Sequence, residues 1–198
     1  MRSPARRAPR PRRAAVDAAG AAARGREPLH PEGSRAVALW RPAYVGLGSN
    51  LDDPRGQVLN ARACLGQLPL TRVVLTSPLY ASRPLGPVAQ PDYVNAVAGL
   101  LTQLEPEALL EELRAIEAAL GRPAVRERWG PRVIDLDLLS YANERRSGAD
   151  LTLPHPGIPE RNFVLYPLAD IAPDVDLPGL GRVAELRAQV TAEGLTRL

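Results

Sequence analysis

The sequence predicts an α/β protein of the α+β type: a ferredoxin-like β-α-β-β-α-β core, an antiparallel sheet with helices packed on it, plus additions at the C-terminal end. Two observations point there. Short apolar or alternating segments and segments with apolar residues at helical spacing follow one another in that order. One of the helical segments, residues 106–120, is long and unambiguous, and strand patterns stand on both sides of it. No internal repeat suggests a solenoid or an array.

Taken in order, Tyr44-Val45-Gly46-Leu47-Gly48 reads as a short buried strand that begins at Ala43 and closes in the turn Ser49-Asn50. Residues 54–68 have helical spacing, with Val58, Leu59, Ala61, Leu65 and Leu68 apolar and Pro54 suited to a helix start. Residues 73–80 form a second strand. Residues 81–92 form a loop stiffened by three prolines and carrying Gly86. A third strand spans 93–104. In the helix over 106–120 the buried face is Leu109, Leu110, Leu113, Ile116, Ala119 and Leu120, and Gly121 ends it. A polar loop over 122–132 leads into a strand over 133–141. Residues 151–162 are loop-rich, residues 163–171 look helical, and a short terminal helix covers 183–190.

Residues 1–41 differ from the rest. They are rich in Arg, Ala, Pro and Gly, lack apolar periodicity, and carry ten arginines against three acids. We expect a disordered extension here, with a short alanine-favoured helix over 14–23 at most, and a domain over 42–198. The extension reads as a solvated tail, a basic arm for nucleic acid or an overlong start. The remainder has 15 arginines against 19 acids, so the folded part is mildly acidic and does not suit a nucleic-acid binder. No apolar run reaches the roughly 20 residues of a membrane span, and no secretory signal is visible, so a cytoplasmic monomer acting on small molecules is expected. The one cysteine, Cys64, excludes an internal disulfide and a Cys-based metal cluster, and reads as a small core residue. The chain contains no lysine. Schiff-base chemistry, a Walker-type phosphate loop and a protein-kinase lysine are therefore excluded, and any polyphosphate must be handled by arginine and metal.

The sharpest chemical feature is Ile134-Asp135-Leu136-Asp137-Leu138-Leu139. On a strand, residues two apart share a face, so Asp135 and Asp137 project together while Leu136 and Leu138 pack inward. Two adjacent carboxylates suit a hard divalent ion completed by water and phosphate oxygens; alternatively they line a solvent-facing strand. Just before them Arg126, Arg128 and Arg132 bracket Trp129-Gly130-Pro131, either to grip phosphate and stack on a flat ring or to form an internal Arg–Asp network anchored by Trp129. The loop Ser82-Arg83-Pro84-Leu85-Gly86-Pro87 and the segment Gln90-Pro91-Asp92-Tyr93-Val94-Asn95 can shape a pocket, with Asn95 pairing two polar atoms of a heterocycle and Tyr93 offering a ring face, or form a surface loop with a structural Asn. His155 lies between two prolines, as a turn residue or a donor to phosphate near Thr152 and Arg161. A His-based zinc site is not expected, because the only other histidine is His30.

These segments together resemble the 6-hydroxymethyl-7,8-dihydropterin pyrophosphokinase family. The resemblance rests on Arg128-Trp129-Gly130-Pro131-Arg132-Val133-Ile134-Asp135-Leu136-Asp137-Leu138-Leu139, Gly46-Leu47-Gly48-Ser49-Asn50-Leu51, Pro84-Leu85-Gly86-Pro87, Gln90-Pro91-Asp92-Tyr93-Val94-Asn95 and Leu153-Pro154-His155, all in order over residues 43–185. It implies transfer of pyrophosphate from ATP to the pterin hydroxymethyl group in folate biosynthesis, with release of AMP. A non-catalytic pterin- or nucleotide-binding module is the alternative. By resemblance, Asp135 and Asp137 are ligands of two Mg²⁺ ions, and Tyr93, Asn95, Trp129, Phe163, Ser82 and Leu85 form the pterin pocket. Glu117, Trp129, Arg132, Thr152, His155 and Arg161 form the ATP site, and Arg122 and Arg132 assist transfer. The chain departs from the family pattern at Ala124, where a loop arginine is common and Arg126 stands two residues on, and at Arg114, Asp150 and Pro156. No protein nucleophile is expected, and loops 82–92 and 122–132 are candidate lids.

Overall fold

The computed structural model of the protein describes residues 39–122 and 130–198. In chain order the elements are β1 (Arg41–Ser49), α1 (Pro54–Leu65), β2 (Thr71–Thr76), β3 (Tyr80–Ser82), β4 (Tyr93–Thr102), α2 (Pro106–Ala119), β5 (Asp135–Tyr141), β6 (Arg146–Ser147), β7 (Thr152–Leu153), α3 (Asn162–Ile171), β8 (Asp176–Leu177), β9 (Gly181–Arg182), α4 (Val183–Ala188) and β10 (Leu195–Arg197). The main sheet runs β10-β3-β4-β1-β5, and β2 lies beside β3 on the same flank of β4. Every pairing in it is antiparallel. With β2 and β3 taken as one interrupted strand, this is the ferredoxin-like order that the sequence predicts, extended at one edge by β10.

The period of two in β1, β4 and β5 divides the sheet into two faces. On one, Val45, Leu47, Ala96, Ala98, Leu136 and Leu138 meet Val58, Ala61 and Leu65 of α1 and Leu109, Leu113 and Ile116 of α2 in a continuous core. Each fully buried leucine there contributes about 1.5–3 kcal/mol. Both helices start with proline at the first turn, and the Asp53 carboxylate accepts the Gly56 N–H at 3.1 Å to cap α1. On the other face, Val97 and Leu139 pack against Val164, Leu165 and Leu168 of α3 and against Val183 and Leu186 of α4. Cys64 is partly buried against the first core, consistent with a packing role.

The structure departs from the sequence expectation in several places. The strand expected over 73–80 is two strands. Ser77 exchanges hydrogen bonds with Val97, giving its backbone N–H to the Val97 carbonyl and accepting the Val97 N–H on its Oγ, both at 2.9 Å. Pro78 then has no N–H to continue the ladder, so the chain leaves it and resumes at Tyr80. The first helix stops at Leu65 rather than 68, where the Gly66 N–H closes onto the Arg62 carbonyl. The last sheet strand of the core begins at Asp135 rather than 133, the terminal helix ends at Ala188 rather than 190, and β1 starts at Arg41. β10, too short to show periodicity, was not expected. The proposed tail helix over 14–23 lies outside the described residues.

Candidate active site

The second face of the sheet is covered by α3 and α4 only in part, and the uncovered part is a trough. Its floor is β1. Gly48 stands opposite Asn95 of β4 on one side and Asp135 of β5 on the other, and Gly46 stands opposite Val97 and Asp137. Adjacent strands are about 4.8 Å apart, so Asn95 and Asp135 face each other across Gly48 at a spacing of about 10 Å. Glycine leaves the space between them clear. A Cβ on Gly48 would sit 3.1 Å from Asn95 Oδ1, and one on Gly46 would sit 3.4 Å from Leu139. The resulting cavity has a volume of about 480 Å³.

One wall is charged. Asp135 accepts from Arg122 Nη1 at 2.9 Å and from Arg132 Nη1. Arg122 also contacts Glu117, whose carboxylate accepts the Leu136 N–H at 2.7 Å. Glu117 is 5% exposed. Burial raises its pKa against the pull of the Leu136 N–H and Arg122. Glu117, expected at the ATP site, thus ties α2 to β5 and holds Arg122 at the cavity. Asp137 is differently placed. Arg161 Nη1 lies 3.5 Å and His155 Nε2 3.9 Å from its Oδ2. The side chain keeps 36% of its surface open to the cavity, yet protein surrounds it on the other sides. Burial, then the Asp135 charge, raises its carboxyl above the ordinary range, against His155, Arg161 and Arg132. His155 Nδ1 accepts the Gly157 N–H at 3.0 Å, which leaves Nε2 to carry the ring proton toward the cavity. Burial, opposed by Asp137, lowers the His155 pKa and favours that neutral form.

The opposite wall is less charged. Asn95, 5% exposed, donates from Nδ2 to Ser82 Oγ at 2.9 Å, so β3 and β4 present the two side chains as a unit. Tyr93, Leu85 and Phe163 complete it. Asn50, which sequence reading gives no role beyond the turn and the Gly46–Leu51 motif, is buried beside the cavity. Its Oδ1 accepts the Arg132 N–H at 2.7 Å, and its Nδ2 donates to Gln90 Oε1 at 2.9 Å and to the Pro91 carbonyl at 3.1 Å. Asn50 joins the loop before β4 to the arginine before β5. A polar side chain directly after a Gly-x-Gly-Ser strand end is the one signal that marked it.

Ser82, Leu85, Tyr93, Asn95, Glu117, Arg122, Arg132, Asp135, Asp137, Thr152, His155, Arg161 and Phe163 all line this cavity. So do the departing positions Arg114, Asp150 and Pro156. Trp129, with Ala124, Arg126 and Arg128, lies outside the described residues. Of the three arginines around Trp129 only Arg132 is described, and there the two alternatives coexist: it pairs with Asp135 and lines the cavity at the same time. Thr152 is exposed, and its hydroxyl donates to the Gly148 carbonyl at 3.5 Å.

Residues 44–173 match the family model for 7,8-dihydro-6-hydroxymethylpterin-pyrophosphokinase. The chain belongs to this family. A 2-amino-4-hydroxy-6-hydroxymethyldihydropteridine pyrophosphokinase of Pseudomonas aeruginosa is 50% identical over 78% of the chain and 95% of its own length. The protein of the same name from Haemophilus influenzae is 46% identical over 79% of the chain and 97% of its own length. Among solved structures, an alanine-to-glycine variant of Plasmodium falciparum HPPK-DHPS crystallised with pteroate superposes with a TM-score of 0.62 at 14% identity, which reports the fold. The match covers 80% of the chain and 46% of that longer protein. No helix among the described residues is long and apolar enough to cross a membrane.

Proposed function

We propose that the cavity transfers pyrophosphate from ATP to the hydroxymethyl group of 6-hydroxymethyl-7,8-dihydropterin, releasing AMP and the pterin diphosphate for folate biosynthesis. The observation that carries this reading is the row Asn95–Gly48–Asp135: an amide for a heterocycle and a carboxylate for a phosphate-bound cation, held about 10 Å apart across a floor with no side chain. A flat bicyclic ring lies over the glycine, with its hydroxymethyl group directed toward the charged wall. Asn95, fixed by Ser82, pairs with the polar edge of the ring, while Tyr93, Leu85 and Phe163 enclose its faces.

The acids fit a hard cation. Asp135 and Asp137 present carboxylate oxygens on one face of β5, and among the described residues no group of three or more His, Cys, Asp or Glu side chains could hold a metal alone. Two Mg²⁺ ions held by Asp135 and Asp137 would take their other ligands from water and phosphate oxygens. When bound, they neutralise phosphate charge and orient the reacting oxygens. The chain's own contribution is positioning and charge. Arg122 and Arg132 converge on the wall where phosphates must lie, and Arg161 and the His155 Nε2–H add donors from the far side. No side chain serves as a nucleophile. We further place the whole activity in residues 42–198, acting as a cytoplasmic monomer without nucleic acid. A binding-only module is not favoured, since the full-length relatives carry the catalyst's name.

Purified protein incubated with ATP, Mg²⁺ and hydroxymethyl dihydropterin should release AMP in proportion to pterin. Pterin-independent hydrolysis, or none, overturns the reading.

A further inference from the structure

Residues 191–198 lie beyond the span that the family model matches, and none of the roles above uses them. They nevertheless bridge two separate pieces of cavity wall. On one side β10 pairs with β3, placing Leu195 opposite Ser82. The Arg83 N–H donates to the Gly194 carbonyl at 3.1 Å, and the Leu198 N–H to the Leu79 carbonyl at 2.9 Å. On the other side Asn162, the first residue of α3, donates from Nδ2 to the carbonyls of Thr191 at 2.9 Å and Glu193 at 3.0 Å. Asn162 sits between Arg161 and Phe163, and Ser82 leads directly into the loop that carries Leu85.

The two walls need such a tie. A second cavity of about 420 Å³ opens behind them, and Leu85 and Phe163 line both cavities. A side chain with open space on both sides is not held by packing, as core residues are, so its position depends on the backbone that carries it. The backbone of β3 is a three-residue strand held between β4 and β10. The start of α3 has no side-chain cap of its own.

We propose that Asn162, through the strap 191–198, is a positioning residue for the pterin wall. It holds Phe163 and the Ser82–Leu85 segment at a fixed separation, so that the ring enters a slot already shaped. This rests on the reading of that wall as the pterin side. The strap touches neither Asp135 nor Asp137, so its loss should weaken pterin binding and spare the chemistry.

The test compares the full chain with Asn162→Asp. The substitution keeps the shape, removes both donors and turns a carboxylate toward two carbonyls. A negative charge in the first turn of α3 also suits the helix dipole, so the helix itself is not penalised. For Asn162→Asp the pterin KM, and the pterin Kd from calorimetry, should rise about five- to tenfold, with kcat and the ATP KM within about twofold of wild type and Tm only slightly lowered. Asn162→Gln, which keeps an amide, should recover part of the loss, and removing residues 191–198 should move the pterin KM further in the same direction. An unchanged pterin KM in Asn162→Asp overturns the proposal. So does a parallel rise of both KM values with a falling Tm, because that is a structural role only. If the shortened chain does not fold, Asn162→Asp decides alone. A wild-type protein that releases no AMP sinks the proposed reaction, whereas the calorimetric comparison still reads the strap.

Discussion

The two faces of the sheet are built from the same strands and put to opposite uses. Toward α1 and α2, β1 presents Val45 and Leu47, β4 presents Ala96 and Ala98, and β5 presents Leu136 and Leu138, all sealed from water. One residue along each strand, the other face presents Gly46 and Gly48, Asn95, and Asp135 and Asp137. The first face gains stability from close packing. The second gives up packing at two glycines and brings like charges together, with Asp137 driven toward its protonated form by burial and by Asp135. A single residue of register separates the two, so a core that fixes the register also aims the site.

The comparison can be broken first at Asp137. Asp137→Asn should lower AMP release by at least about a hundredfold, as loss of transition-state charge stabilisation does. The same substitution should raise Tm once the pH exceeds the folded pKa of the Asp137 carboxyl. The sign follows from linkage. A carboxyl whose folded pKa is raised contributes stability that is complete below its unfolded value and is lost as pH rises through the folded pKa. The amide has no such contribution to lose, so the gap in Tm should open as pH rises through the folded pKa and close when the melts are repeated at acid pH. A gap in Tm that does not grow with pH would contradict this account of the face.

The core face should respond in the opposite way. Leu113→Ala, at a position with no exposed surface, should cost about 2–5 kcal/mol in denaturant unfolding. The protein that remains folded should keep both KM values. Between these extremes lies Gly48→Ala. Its Cβ would press on Asn95 Oδ1 at 3.1 Å, and overpacking by a single methyl should raise the pterin KM by roughly tenfold. The ATP KM should stay level, and steady-state kinetics with each substrate varied in turn separates the two. The smallest effect is expected from a chain that starts at Leu39. Among the described residues the cavity is lined from Gly46 onward, and AMP release should stay within about twofold of the full chain.

Much of the core face was legible from periodicity, because helical and strand spacing are local properties. The helix over 106–120 and the alternation through Asp135 and Asp137 needed no partner to be recognised. The break at Ser77-Pro78 was harder to read, since a serine that serves both groups of Val97 looks like an ordinary strand residue. Glu117 lines the cavity as the nucleotide-site reading expects, and its hydrogen bond to the Leu136 N–H, nineteen residues away, is not legible in the sequence. The linking role of Asn50 is not legible in the sequence, because its three partners, Gln90, Pro91 and Arg132, are all distant from it.

The sequence by itself determined which residue types are available and which share a face. With no lysine, arginine must meet the phosphates. With period two on β5, Asp135 and Asp137 must point together. Only the tertiary structure decided what they point at. Strand register sets Asn95 and Asp135 on either side of Gly48, salt bridges bring Arg122 and Arg132 to the same carboxylate, and the Asn162 amide ties the last residues of the chain to the far wall. The physical reason is that side-chain periodicity is written into successive residues. Register and long-range pairing are chosen by the packing of the whole core.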